Sequence, residues 1–302
     1  MTAPAPDERD RAAGDRSEGP ALRRELLASV RALDLLVLLA VPAVLVAVFA
    51  LPESTRRSLA FAYADPTLRS AFVAHYVHLD AGHLAGNVVG YCLLAGTGYA
   101  LAVLGGARRF FLTALATFLA AFPFVLSALN LAVPRDAIGF GFSGINMALA
   151  GLLPLLLWAY ARERFVPNAS LGALPAAFFA LAGWIALLAL PLPDPTSDVD
   201  LAGLAGLATG VAGALLSVLY ASSSGIRLRE TARDGVRTVA SRPGEGDLFA
   251  VGVVLVVGYP IVGFPGDPTG AGSVVNLYVH LLGFCLAFIG PFALLAVGVF
   301  DE

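Results

Sequence analysis

Eight apolar stretches recur along the chain, about 34–51, 84–104, 110–132, 143–160, 172–191, 201–220, 248–264 and 274–298. Nothing else in the sequence restricts the fold as strongly. A bilayer core about 30 Å thick takes roughly 20 helical residues, with a range near 17–25, and these runs have that length. Lipid offers no hydrogen bonds, so each run must satisfy its own backbone, which points to helices. The fold class expected is all-α: a polytopic membrane helix bundle of about eight spans. Composition agrees, with 58% hydrophobic and 14% charged residues, against about 45–50% and about 25% in soluble domains. Residues 1–31 are polar and charged and read as a disordered cytoplasmic tail, with a short interfacial helix over Arg23 to Arg31 at its end. Residues 32–302 form the transmembrane domain. The first span is read as uncleaved, because its apolar run exceeds the usual 7–15 residues of a signal peptide. Pro42 and Pro123 fall inside the first and third spans, where neighbouring groups can take up the freed carbonyls.

Arginine sets the orientation. With the N-terminus in the cytoplasm, Arg9, Arg11, Arg16, Arg23, Arg24, Arg31, Arg108, Arg109, Arg162, Arg164, Arg227, Arg229, Arg233, Arg237 and Arg242 lie inside. Only Arg56, Arg57, Arg69 and Arg135 lie outside, so the 19 basic residues divide 15 to four. The positive-inside rule selects this topology, a multi-pass protein of the cell membrane with both termini cytoplasmic. The inner segment 221–247 is the one long polar connection and is expected to be mobile. A net charge of -3 argues against a nucleic-acid partner. Cys92 and Cys285 sit in apolar runs without a Cys/His cluster, so they read as packing residues, and neither metal nor cofactor is expected.

In such a chain the informative residues are polar ones at membrane depth. His75, His78 and His83 lie in FVAHYVHLDAGHLAGN at the outer start of the second span, where His83 and Asn87 share a helix face. The fourth span opens with GFGFSGINMALAG, which puts Ser143 in a first helical turn whose backbone N–H groups are free. The last span opens with VNLYVHLLGFCLAFIG and carries His280. Spans two, four and eight run in the same direction, so His83, Asn87, Ser143 and His280 reach comparable depth. A serine needs an adjacent base to act as nucleophile, and His280 is the histidine outside the second span. Asn87, His83 and the Ser143 backbone N–H are candidate donors to an oxyanion. No span carries an acidic residue near this level, so a Ser–His dyad is simpler than a triad. Asn146 reads as an interhelical hydrogen-bond residue. His75 and His78 read as interfacial or locally structural residues, and Asn276 is a candidate to orient the His280 ring.

These motifs resemble the rhomboid family of intramembrane serine proteases, in an archaeal or bacterial-like form with extra transmembrane helices. Gly141-Phe142-Ser143-Gly144 is similar to the family's GxSG, and His83 with Asn87 to its His-x-x-x-Asn, with His78 five residues before it. His280, followed by Gly283 and Gly290, is similar to the base histidine. The resemblance covers about 61–160 and 274–290. It implies a Ser143–His280 dyad, an oxyanion hole from Asn87, His83 and the Ser143 backbone, no cofactor, and transmembrane protein substrates met within the lipid bilayer.

Three departures bear on that implication. The Trp-Arg pair of the first outer loop is absent, and eight spans stand where the family core has six. The sixth span, LAGLAGLATGVAG, has the glycine rhythm of the family's histidine helix, with Gly203 in the histidine's place. In that register the chain is a catalytically inactive, rhomboid-like protein that binds client helices. In the other register the eighth span carries the base, and Gly206 with Gly210 forms a GxxxG packing face. A transporter would call for internal repeats and broken helices, and no convincing repeat relates the two halves.

Overall fold

The computed structural model describes residues 21–190, 201–224, 228–266 and 275–300. A first helix, α1, covers 21–29, and α2 (Ala32–Phe49) follows it. The connection after α2 carries α3 (Glu53–Leu59), a two-residue strand β1 (Phe61–Ala62), α4 (Leu68–Val73) and a 3₁₀ turn over Ala74–Tyr76. Then come α5 (Ala81–Leu104), α6 (Arg108–Ala120), α7 (Phe122–Asn130), strand β2 (Ile138–Gly139) and α8 (Ser143–Arg164). The chain ends in α9 (Ala173–Ala189), α10 (Leu201–Ser223), α11 (Leu228–Ala240), α12 (Glu245–Gly263) and α13 (Leu277–Ala296).

The chain is an all-α helix bundle with a membrane protein's profile. Among the described residues six helices are long and apolar enough to cross a membrane: α2, α5, α8, α10, α12 and α13. The expected count of eight changes in two places. The third stretch, 110–132, is not one helix but α6 and α7, which meet at 49° and would make a seventh span if they cross together. The fifth is α9, only 17 residues long. The seventh stretch looked shortest in sequence, yet α12 runs for 19 residues because it begins in the polar Glu245-Gly246-Asp247 turn. The segment 221–247, expected to be a mobile inner connection, holds α11 and the start of α12. Of the tail 1–31, residues 1–20 lie outside the described residues, while 21–29 are helical. Leu22 and Leu26 pack against the core and Glu25 pairs with Arg164.

The bends follow from proline chemistry. Pro123 has no N–H to offer the carbonyl of Leu119, four residues back, and its ring crowds that turn. The helix breaks there, and the Tyr76 hydroxyl donates to the Leu119 carbonyl at 2.7 Å. Pro42 frees the Leu38 carbonyl in the same way, and Tyr91 of α5 donates to it at 3.1 Å. Each proline therefore converts an intrahelical bond into a contact between elements.

Helix α8 is the axis of the bundle: 83% of its apolar window is buried, against 17% for α2. Helices α5, α12 and α13 pack directly on it. Small residues set these approaches. A side chain on Gly283 of α13 would strike the Gly144 carbonyl, and one on Gly151 of α8 would strike the backbone of Phe284. Helix α10 instead lies along α9, with its closest approach at Gly213 against Gly183. Gly210, expected in a GxxxG face with Gly206, meets Leu187 of α9. Asp34, at the start of α2, is 3% exposed and is held by Arg108 at 2.5 and 2.6 Å and by the Tyr99 hydroxyl at 2.6 Å. A carboxylate at such a depth persists only when paired.

Candidate active site

Four backbone devices position the polar residues at one end of α5, α8 and α13. Asp80 caps α5 by accepting from the His83 N–H at 2.8 Å, which starts the helix that carries His83 and Asn87. Asn276 caps α13 by accepting from the Val279 N–H at 3.2 Å, one turn before His280. Strands β1 and β2 pair antiparallel, with Phe61 opposite Gly139 and Ala62 opposite Ile138. That pairing delivers the chain to Gly141, whose φ of +111° is open to glycine and strained for other residues. A side chain there would also lie 2.7 Å from Cε1 of His83. The Gly141 N–H donates to the Ala74 carbonyl at 3.0 Å, and α8 begins two residues later at Ser143.

Ser143, His280, His83 and Asn87 all line one cavity of about 900 Å³. Ser143 is half-buried, and its hydroxyl has no hydrogen-bond partner among the described residues. As the first residue of α8 its N–H is free of intrahelical bonding. His280 is buried and its Nδ1 lies 2.6 Å from the Gly263 carbonyl. A carbonyl only accepts, so Nδ1 carries the proton and Nε2 of the neutral ring keeps its lone pair. The Gly263 carbonyl is available because α12 ends there, and the last carbonyls of a helix lack intrahelical donors. No hydrogen bond joins Ser143 to His280 in this structure. The two share the cavity, and Gly144 packs against Val279 of α13.

Around them the histidines and amides divide their work. His83 is half-buried beside His78, with ring centroids 5.0 Å apart, and its Nδ1 is buried without a partner among the described residues. His78 accepts from the Phe142 N–H at 3.4 Å and so fixes the residue before the serine. His75 bonds Ser127 at 3.1 Å and ties the 3₁₀ turn to α7. Asn87 gives one amide N–H to the His83 carbonyl at 3.0 Å, while its other N–H has no partner among the described residues. Asn146 donates to the backbone and side-chain oxygens of Asn87 at 3.0 and 3.2 Å, the interhelical bond expected of it. Asn276 does not touch the His280 ring. Its amide reaches Tyr63 at 3.3 Å and Asn130 at 3.2 Å.

Three contributors went unread in the sequence. The Gly263 carbonyl orients the histidine, and its signal was the end of the seventh apolar stretch at the level of His280. Tyr259 of α12 lines the cavity and sits where a side chain on Gly90 would meet its hydroxyl. At the rim of the cavity Tyr63, Asn130, Arg135 and Asn276 form one polar cluster. Nothing in their sequence spacing announces it. Among the described residues no cluster of His, Cys, Asp or Glu could hold a metal ion. Comparison with protein-family descriptions, with characterised proteins and with solved structures finds no match.

Proposed function

We propose that the chain is an intramembrane serine protease of the rhomboid type that cleaves transmembrane substrates. The observation that carries this reading is the His280 tautomer. With Nδ1–H committed to the Gly263 carbonyl, Nε2 keeps its lone pair, and His280 lines the same cavity as Ser143, whose hydroxyl has no partner among the described residues. In the proposed reaction Ser143 Oγ attacks a scissile carbonyl, and its proton passes to His280 Nε2. The oxyanion takes hydrogen bonds from the Ser143 backbone N–H, the remaining Asn87 amide N–H and the His83 ring. His280 then returns its proton to the leaving amine, and water repeats the cycle on the acyl ester. The gap between Ser143 and His280 has to close when substrate enters, as catalytic hydrogen bonds commonly tighten on binding.

Packing bears on which register applies. Helix α13 with His280 lies on α8, while α10 with Gly203 lies on α9, which favours the His280 register. The open Ser143–His280 gap is what favours the second reading, an inactive protein that binds client helices. Labelling with a serine-directed fluorophosphonate in membranes separates the two. Wild type should label, Ser143→Ala should not, and His280→Ala should label far more slowly. A wild type that stays unlabelled would leave only the client-binding reading.

A further inference from the structure

The cavity walls are mostly apolar, and among its described lining residues Arg135 is the single formally charged one; no Asp or Glu is among them. Arg135 belongs to the connection between α7 and β2, eight residues before Ser143, at the outer mouth. Its guanidinium is held on three sides. Nη2 donates to Asn130 Oδ1 at 2.5 Å, Nε to the Val133 carbonyl at 3.3 Å, and the group lies over the Tyr63 ring at 4.5 Å. Tyr63 is itself fixed by Asn130 and Asn276. Asn276 caps the helix that carries His280. A guanidinium has five N–H donors; two are used here, so both on Nη1 and one on Nη2 remain. Among the described residues no carboxylate lies within ion-pair distance of Arg135. A long cationic side chain normally sacrifices rotamer entropy when it is pinned, and here that cost is met before any ligand arrives.

We infer that Arg135 determines substrate specificity, pairing with a carboxylate on the polypeptide segment that enters the cavity. This rests on the protease reading and names its substrate class: membrane segments with an Asp or Glu just outside the outer end of the helix. The remaining donors sit on the two terminal nitrogens, the arrangement that grips both oxygens of a carboxylate. A lysine-bearing segment would meet an uncompensated cation at the mouth and be disfavoured. Because the pair forms at a water-exposed rim, its contribution is modest and depends on salt.

The test uses the full-length protein with a cleavable transmembrane reporter. An Asp is moved through successive positions around the outer helix end, and each reporter is compared with its Asn and Lys counterparts. At one position wild type should prefer Asp over Asn by about fivefold in kcat/KM, falling toward one at high salt. Arg135→Gln should bring that ratio to about one. Arg135→Glu should invert it and favour Lys, an outcome that also shows the variant is folded; if Arg135→Glu fails to fold, the Arg135→Gln ratio still decides. A wild type blind to charge at every position overturns the inference, as does an Asp preference that survives Arg135→Gln. Fluorophosphonate labelling of wild type keeps the two failures apart. Labelling with charge-blind cleavage sinks this inference alone, while absent labelling sinks the protease reading beneath it.

Discussion

In the proposed mechanism Asn87 serves packing and chemistry together. One amide N–H closes on the His83 carbonyl, its oxygen accepts from Asn146, and one N–H is left for the cavity. Asn87→Ala should therefore lower kcat by roughly 10²–10³, the usual effect of losing an oxyanion donor. It should also lower thermal stability by about 1–3 kcal/mol, because buried Asn146 loses an acceptor. Turnover equal to wild type on a cleavable reporter would remove Asn87 from the mechanism. His75 and His78, outside the spans, make a separate statement about pH. Burial pushes His75 down to about 4, and burial with the neighbouring His83 pushes His78 down to about 3. The unfolded chain protonates these rings near 6.5, so it takes up protons first as pH falls. Stability should be full above about pH 6.5 and decline as the pH falls toward about 4, each ring contributing a loss of at most about 1.4 kcal/mol for every tenfold rise in proton concentration. Melting temperatures across that range should show the decline, and His75→Gln should flatten it; an equal slope in the variant would assign the effect elsewhere.

Among the elements, the prolines and tyrosines form matched pairs. Tyr91 of α5 supplies the hydrogen bond that Pro42 denies to the Leu38 carbonyl of α2. Tyr91→Phe should cost about 1–3 kcal/mol in the native background, since a buried carbonyl loses its donor. In a Pro42→Ala background the restored N–H can reach Leu38, so the same change should cost markedly less. A double-mutant cycle on thermal stability measures that coupling, and additive effects would show that the two residues act independently. The same logic makes the α6–α7 break a docking feature, because Tyr76 reaches the Leu119 carbonyl only where Pro123 has freed it. Glycine performs the complementary role on α13, where Gly283 lets the helix lie against the Gly144 backbone and carries His280 to the cavity. The glycine rhythm of the sixth apolar stretch and the histidine of the eighth offered two registers for that neighbour; the positions at which the glycines of α10 and α13 meet another backbone distinguish them.

For the whole molecule the arginine asymmetry remains the basis for orientation. The Ser143 cavity lies at the N-terminal ends of α5, α8 and α13, and the Glu25–Arg164–Glu245 cluster lies at the opposite end of α8. With Cys92 and Cys285 replaced by serine, cysteines at Ser54 and at Ser170 should react with an impermeant maleimide from opposite faces of sealed vesicles. Ser54 should be reached from outside. Reaction of both from one face would break the assignment and, with it, the placement of the cavity in the outer leaflet.

The apolar runs alone determined that this chain is a membrane helix bundle, because length and hydropathy are local properties. The candidate residues Ser143, His280, His83 and Asn87 were legible for a related reason: polar groups stand out against an apolar background, and helix direction follows from counting. Helix breaks and short helices were less so. Proline in a long apolar run is compatible with a straight or a broken span, and the choice at Pro123 depends on a distant tyrosine. Only the tertiary structure decided which helix lies on α8, that Asn276 serves the rim and not the His280 ring, and that a free carbonyl at the end of α12 sets the histidine tautomer. Each of these depends on which backbones approach closely enough to share a hydrogen bond, a distance between segments far apart in sequence that no local pattern records.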